Sequence, residues 1–226
     1  SPVTLTSIIC KNEEHIIVSQ MYDHLDRHHA LTDAQHGFRK RRSTETQLLL
    51  TTNDVMSGLE KNVQTDAILL DFSKAFDKVP HHLLIHKLKH YGIDRSALGW
   101  ITAFLTDRTQ EMHVQGSTSN TSPVTSGVPQ GSVLGPLLFL MFINEMPSYI
   151  KNSSTIRLFA DDAIIYCQIR STDDSQLLQE DLDCLLQWES DWGMTFHPQK
   201  CQTIRMTRKK KPNITSYNIR GHTPEM

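Results

Sequence analysis

The sequence lacks the features that mark a membrane protein or a secreted protein. No stretch reaches the roughly 18 apolar residues that a membrane span needs, because Gly135 and Pro136 interrupt the longest apolar run, residues 133–143. The first ten residues show no basic start followed by an apolar run, as a signal peptide would. The four cysteines show no CxxC spacing, and a chain of this length does not depend on a disulfide framework. We therefore expect reduced thiols in an intracellular compartment and no contact with a membrane.

Other absences narrow the class of protein. Neither of the glycine-rich loops that cradle nucleotide phosphates is present, and there is no internal repeat. A zinc site built on His197 and Cys201 would need two further ligands nearby. What remains is a chain of 226 residues with 38% apolar and 21% charged side chains, which suits about one or two compact domains. Because it begins with Ser1 rather than Met, we expect a piece of a longer protein.

The net charge of −2 conceals two basic clusters. Residues 200–226 carry seven Lys or Arg side chains against one acidic side chain, and residues 39–42 are all basic. Local clusters rather than the total charge set a phosphate-binding footprint. Each cluster, taken alone, is also typical of a solvated tail or loop, so both interpretations stay open.

Hydrophobic periodicity and turn residues predict interleaved helices and strands. A continuous rather than alternating apolar run at residues 67–70 indicates a strand buried on both faces. We expect Asp161-Asp162 to form the two-residue turn of a hairpin. The helices are predicted at residues 13–27, 43–58, 82–91, 94–105, 132–149 and 173–192, and the other strands at 3–9, 110–114, 122–125, 155–160, 163–168 and 202–206.

Three carboxylates are the candidates for chemistry. Asp71 ends the buried strand, and Asp161 and Asp162 lie at the hairpin tip. Two like charges ~4 Å apart repel by ~4 kcal/mol at an effective dielectric near 20, so such a cluster raises a pKa or binds a cation such as Mg²⁺. Because adjacent strand residues face opposite sides, we expect Asp161 to be the main partner of Asp71. Ordinary turn chemistry and a helix cap are the alternatives, since spacing alone does not bring residues 71 and 161 together.

Two further features lie between Asp71 and Asp161 along the chain. Residues 127–131, GVPQG, form a shaped loop that lets backbone approach a ligand closely, and Gln130 adds an amide to it. Phe76 lies five residues after Asp71 and could wall a pocket above a metal. A plain helix-entry loop and ordinary core packing are the alternatives.

Five segments, in order, resemble the reverse transcriptases of non-LTR retrotransposons, most closely the jockey-like LINE group. The sequence FADD alone would be a weak signal, but five segments in the expected order over residues 1–206 are specific. The segments are QHGFR with RST at 35–44, DFSKAFDKVPH at 71–81, SGVPQGSVLGP at 126–136, FADD at 159–162, and WGMTF with KC at 192–201.

The resemblance implies an α+β fold, namely the palm of a right-hand polymerase, with an antiparallel sheet backed by helices and partial fingers. Residues 1–65 would form the partial fingers. Residues 66–206 would form the palm with inserted finger segments. Residues 207–226 would be a basic tail or the start of the thumb connection.

The resemblance also assigns roles around the carboxylates. Asp71, Asp161 and the backbone carbonyl of Phe72 would bind two Mg²⁺ ions, for which Mn²⁺ is a substitute. Asp162 would be a neighbouring catalytic carboxylate with a smaller role. Lys200 would lie near the triphosphate and donate a proton to the leaving pyrophosphate.

Further roles concern the nucleotide and the nucleic acid. Phe76 would be the steric gate that rejects a ribose 2′-OH, and Gln130 and Gly131 would lie against the incoming nucleotide. Ala160 would border the primer end. Arg39 and Arg42 would contact nucleic acid.

The implied activity is RNA-directed DNA polymerisation, in which a DNA primer 3′-OH attacks a dNTP on an RNA template. The remainder of the retroelement polyprotein would be a further partner, and the compartment would be nuclear and cytoplasmic.

Two alternatives to this activity are weighed against it. The first alternative is an inactive remnant that binds nucleic acid. It is favoured because Ser1 stands where a fingertip arginine is expected and because residues 12–14 (NEE) replace apolar residues. An unrelated metal-dependent phosphotransferase or nuclease is the other, but it leaves residues 127–131 and Phe76 without a role.

Overall fold

The computed structural model describes residues 8–106 and 108–225. The α-helices are α1 (Ile8–Arg27), α2 (Thr44–Glu60), α3 (Ala75–Lys78), α4 (His81–His90), α5 (Arg95–Leu105), α6 (Gly135–Ile143) and α7 (Thr172–Trp192). The strands are β1 (Gln64–Asp71), β2 (Thr109–Gln110), β3 (His113–Val114), β4 (Ser117–Thr118), β5 (Ser122–Pro123), β6 (Thr155–Phe159), β7 (Asp162–Ile169) and β8 (Gln202–Met206).

The chain divides into two compact units. The helical unit contains the described parts of residues 1–31 and 76–142, and the sheet unit contains those of residues 32–75 and 143–226. The boundaries differ from the predicted fingers, palm and tail, which remain predictions.

The sheet unit is built on a four-stranded antiparallel sheet in the order β6-β7-β1-β8. The central strand β1 is buried along most of its length, as its continuous apolar run predicts. Helix α7 begins with a capping box at Ser171 and ends at Gly193, whose φ of 64° closes the helix. Its apolar face is fully buried at helical spacing through Leu178, Leu182, Leu185 and Trp188.

The last residues fold back onto the sheet unit and do not form a wholly solvated tail. Asp66, fully buried in β1, accepts hydrogen bonds from Arg205 Nε at 3.2 Å and from the Tyr217 hydroxyl at 2.9 Å. Gln64 donates to the carbonyl of Asn213 and accepts from its backbone N–H, both at 2.9 Å. Exposed basic side chains remain on this segment, among them Lys210 and Lys211.

In the helical unit, a buried carboxylate anchors the loop that leads into α6. Glu14 on α1 is fully buried, and its Oε2 accepts hydrogen bonds from the backbone of Val133 at 2.7 Å and Leu134 at 2.9 Å. Residues 12–14 looked anomalous because an apolar side chain was expected there. In the structure Glu14 accepts hydrogen bonds from the loop that leads into α6, a role that no local sequence pattern indicates.

Most predicted elements are confirmed, with three differences. The predicted helix at 132–149 is split into α6 and a 3-10 helix, Met146–Tyr149, because Pro147 has no N–H to donate to the preceding turn. The predicted strand at 3–9 lies partly outside the described residues, and Ile8 and Ile9 begin α1 instead. The strands predicted at 110–114 and 122–125 are two-residue pieces in two small ladders.

Candidate active site

The carboxylates meet at one end of the sheet, where β1 ends and the β6–β7 hairpin turns. In the register of the sheet, Asp71 lies directly opposite Asp162, and Asp162 also pairs with Phe159. The hairpin turn is therefore Ala160-Asp161, so the prediction of an Asp161-Asp162 turn is wrong by one residue. Ala160 adopts the left-handed conformation, with φ of 55°, that the sequence had suggested for an aspartate.

The register brings the side chains of Asp71 and Asp162 to the same face of the sheet. Partial burial and the negative charges of Asp161 and Asp71 raise the pKa of Asp162. Asp161, predicted to be the main partner of Asp71, is half-buried in the turn beside this pair. Its role as a metal ligand stays a prediction.

The site offers oxygen ligands in a number that suits a hard cation bound together with substrate. Asp71 Oδ2 is buried and accepts no hydrogen bond, and its charged neighbour is the Lys200 ammonium, so the site already places a positive charge beside this oxygen. Within residues 8–106 and 108–225, no group of three or more His, Cys, Asp or Glu side chains could hold a metal ion by itself. Mg²⁺ is usually held by one or two protein carboxylates plus substrate phosphates and water, so the residues present fit this ion.

The segment after α7 is pinned to the end of β1 and brings a lysine to the carboxylates. His197 donates its backbone N–H to the carbonyl of Asp71 at 2.7 Å, and the ring of Phe72 stacks on Phe196 with centroids 4.6 Å apart. Lys200 Nζ lies 3.5 Å from Asp71 Oδ2, and the lysine side chain is 65% exposed. Lys200 is thus close to the carboxylates while it remains accessible to a ligand.

A groove of about 540 Å³ lies beside these groups in the sheet unit. One wall comes from α2 and the other from the strand ends. Among the residues that line it are Leu48, Asp71, Phe159, Asp162 and Lys200.

The residues predicted to bind the nucleotide in the helical unit are held by local contacts. The ring of Phe76 stacks on Phe139 with centroids 4.4 Å apart and an angle of 17° between the rings. The carbonyl of Phe76 accepts a hydrogen bond from the N–H of Val128 at 2.8 Å, which joins the loop at 127–131 to α3. Gln130 in this loop is half-buried and Gly131 is exposed.

The two predicted nucleic-acid contacts in the basic cluster also bind their own loop. Arg39 donates from Nη1 to the carbonyl of Thr32 at 2.7 Å, and Arg42 forms an ion pair with Asp33. Their contact with nucleic acid stays a prediction.

Sequence reasoning placed Gln35 in a finger segment but gave it no role. In the structure its buried side chain forms hydrogen bonds with both the N–H and the carbonyl of Ala160, in the turn that carries Asp161. The QHGFR segment drew attention to Gln35, but no local sequence pattern linked this residue to a turn 125 residues away.

A carboxylate pair at the end of an antiparallel sheet backed by helices defines the palm of a right-hand polymerase. The fold is similar to that of apo telomerase from Candida tropicalis, with a TM-score of 0.61 and 12% identity over 94% of this chain and 46% of that chain. Telomerase from Candida albicans in complex with a fragment of telomeric RNA is also similar, with a TM-score of 0.59 and 10% identity over 95% of this chain and 36% of that chain. These likenesses confirm the predicted fold class.

Residues 2–219 match the family described as reverse transcriptase (RNA-dependent DNA polymerase), and the chain belongs to this family. It is 30% identical to the RNA-directed DNA polymerase from mobile element jockey of Drosophila melanogaster, over 92% of this chain and 23% of that protein. It is 31% identical to the probable RNA-directed DNA polymerase from transposon BS of the same species, over 95% of this chain and 24% of that protein. The predicted resemblance is confirmed, and the chain spans about a quarter of the length of these curated relatives.

Two further sequence-based expectations concern a membrane span and the cysteines. Of the helices in the described part of the chain, none combines the length and apolar character needed to cross a membrane. Within that same part, none of the four cysteines forms a disulfide.

Proposed function

We propose that this chain is the polymerase region of a non-LTR retrotransposon protein, and that it extends a DNA primer with dNTPs on an RNA template. The observation that carries the proposal is the pairing of Asp71 with Asp162 beside the turn at Asp161, in a chain of the reverse transcriptase family. Reverse transcriptases work with divalent metal ions, and these carboxylates are the oxygen ligands that such ions need.

In this proposal Asp71, Asp161 and the Phe72 carbonyl hold two Mg²⁺ ions, with Mn²⁺ as a substitute. The bound ions would neutralise charge on the reacting phosphate and on the attacking and leaving oxygens. The Oδ2 of Asp71, which accepts no hydrogen bond and lies 3.5 Å from the Lys200 ammonium, supports its role as a ligand, because this oxygen already attracts a positive charge. The raised pKa of Asp162 comes first from partial burial and then from the charges of Asp161 and Asp71. The part due to these charges supports a cation site, since a bound cation relieves repulsion among like charges.

The chain's own residues would position the nucleotide. The ammonium of Lys200, close to Asp71 and largely exposed, is suited to bind the triphosphate and to give a proton to the leaving pyrophosphate. Phe76 would act as the gate against a ribose 2′-OH, because its ring is held by stacking on Phe139 and cannot yield easily to an extra atom. Gln130 and Gly131 would lie against the nucleotide.

The nucleic-acid partners would be an RNA template and a DNA primer, with Ala160 at the primer end and Arg39 and Arg42 on the phosphates. The remainder of the retroelement polyprotein would complete the polymerase, and the compartment would be nuclear and cytoplasmic.

One observation favours a second candidate function, an inactive remnant that only binds nucleic acid. Arg208, Lys210 and Lys211 are exposed on the anchored C-terminal segment, where they could contact phosphates without any catalysis. Binding of RNA that weakens steeply with salt, together with no primer extension, would favour this candidate.

The test is Mg²⁺-dependent extension of oligo(dT) on poly(rA), run on this chain and on a version joined to the flanking segments of its jockey-type relatives. We expect Asp71→Ala and Asp161→Ala to lower the rate about 100-fold or more, since each removes charge stabilisation from the reacting centre. Asp26→Ala, at an exposed position on α1, is the matched control and should extend normally. Extension at the unchanged rate in Asp71→Ala and Asp161→Ala would refute the proposal, as would no extension by the joined version.

A further inference from the structure

The hairpin turn that carries Asp161 is held by a chain segment outside the carboxylate cluster. Residues 34–36 run beside β6, where Leu158 donates its N–H to the carbonyl of Ala34 at 2.9 Å and His36 donates to the carbonyl of Leu158 at 2.8 Å. A parallel bridge between Gln35 and Leu158 results. The segment thus adds a single parallel bridge along the β6 edge of the sheet, close to the hairpin turn.

One side chain of this segment satisfies both backbone groups of the turn residue Ala160. Gln35 is 3% exposed. Its Oε1 accepts hydrogen bonds from the N–H of Ala160 at 2.9 Å and of Gly37 at 2.7 Å, and its Nε2 donates to the carbonyl of Ala160 at 3.2 Å. Only an amide side chain offers a donor and an acceptor together in this way, since a carboxylate only accepts.

The packing at Gly37 leaves the turn no room to move toward the segment. A Cβ at this position would lie 2.2 Å from the backbone nitrogen of Ala160 and 2.9 Å from its Cα. Both neighbours are backbone atoms, so any side chain at residue 37 would displace the turn. Gly37 is therefore required by the close approach.

From these contacts we infer that Gln35 and Gly37 are positioning residues that hold the Ala160-Asp161 turn, and with it the Asp161 carboxylate, beside the Asp71–Asp162 pair. Gln35 supports the left-handed conformation of Ala160 that sets where Asp161 lies, and Gly37 sets how near the turn approaches. The inference rests on the proposed metal-binding role of Asp161. It adds that Gln35, 125 residues away from Ala160 in the sequence, helps to set the metal affinity of the site.

The variants that test it are Gln35→Glu and Gly37→Ala. Gln35→Glu keeps the size of the side chain and removes the donor to the Ala160 carbonyl, while Gly37→Ala pushes on the turn. We expect both variants to bind Mn²⁺ about tenfold more weakly, as is typical when a group that orients a metal ligand is lost. Binding is measured by electron paramagnetic resonance in the absence of substrate. The amide of Ala160 should also exchange its hydrogen faster.

Matched controls are available at sites remote from these contacts. Gly99→Ala adds a methyl group on α5 where no atom lies within 4 Å, and Gln20→Ala removes an exposed amide on α1. Both should bind Mn²⁺ as the unchanged chain does. Thermal unfolding of each variant shows whether it is folded, and Gln35→Glu keeps the test usable if Gly37→Ala does not fold.

The outcomes separate this inference from the proposed function. Wild-type Mn²⁺ affinity in folded Gln35→Glu and Gly37→Ala overturns the inference, and so does an unchanged chain that binds no Mn²⁺ at millimolar concentration. If the unchanged chain binds Mn²⁺ but the version joined to its flanking segments extends no primer, the proposed polymerase activity fails. The comparison of metal affinities then still decides the positioning role.

Discussion

Replacing Asp162 by asparagine should stabilise the protein when no divalent metal is present. Burial and the charges of Asp161 and Asp71 raise the pKa of Asp162 above its ordinary value of 3.8. A carboxyl with a raised pKa in the folded state reduces stability at every pH where it is ionised, and the reduction grows as the pH rises above the ordinary value. Asparagine keeps the shape of the side chain and removes the charge.

The expected gain in folding stability of Asp162→Asn can be estimated from the register of the sheet. Two unit charges about 5 Å apart, as in directly opposed strand residues, repel by about 3 kcal/mol at an effective dielectric of 20. Asp162 is only partly buried, so water and salt screen most of this energy, and we expect a net gain in stability of about 0.5–1 kcal/mol. For a chain of this length that corresponds to a rise in unfolding temperature of about 1–4 °C.

The assay is thermal unfolding in EDTA at low ionic strength, at pH 7 and again near pH 4. The gain of Asp162→Asn should be present at pH 7 and shrink near pH 4, where the wild-type carboxyl takes up a proton. Asp26→Asn, at an exposed carboxylate on α1, should change little at either pH. Added Mg²⁺ should stabilise the wild type more than Asp162→Asn, because the ion relieves repulsion that the variant lacks. Equal or lower stability of Asp162→Asn in EDTA at pH 7 would refute the reasoning, as would a gain that persists undiminished near pH 4.

Two further predictions concern buried carboxylates outside the site. Glu14→Ala should lower the free energy of unfolding by about 2–4 kcal/mol, because it leaves the N–H groups of Val133 and Leu134 without their acceptor. Asp66→Asn should lower it by about 3–5 kcal/mol, since it removes the charge of a fully buried carboxylate that pairs with the nearly buried guanidinium of Arg205. Both are measured by urea unfolding.

Controls for these two changes lie close at hand. Glu13→Ala removes an exposed carboxylate next to Glu14, and Asp26→Asn removes an exposed one on the same helix. Each should alter the unfolding free energy by less than about 0.5 kcal/mol. If Glu14→Ala or Asp66→Asn were equally mild, the corresponding hydrogen bonds would have no measurable role in stability.

Elements with a strong local signal were predicted well from the sequence. The hydrophobic periodicity of α7 and the continuous apolar run of β1 both correspond to what the structure contains. Each of these signals acts through contacts between residues a few positions apart. The order of five motifs in the chain also predicted the family, which the match over residues 2–219 confirms.

For the candidate site, the sequence indicated carboxylates whose roles stay predictions, and it did not indicate their geometry. The sequence named Asp71, Asp161 and Asp162, yet the strand register pairs Asp162 rather than Asp161 with Asp71 and moves the turn to Ala160-Asp161. An alanine in the left-handed conformation contradicts local preference, and the structure explains it by two hydrogen bonds with Gln35, which accepts from the N–H of Ala160 and donates to its carbonyl. Glu14 is a similar case, because its partners lie 119 and 120 residues away.

By itself the sequence determined the family, the order of the acidic motifs and most helices and strands, because these depend on residue types and short-range periodicity. Only the tertiary structure decided which carboxylates face each other, which amide holds the hairpin turn and why a glutamate is buried in α1. Those outcomes depend on hydrogen bonds and close packing between segments far apart in the chain. Such contacts leave no periodic pattern in either segment, so they become visible only when the chain is folded.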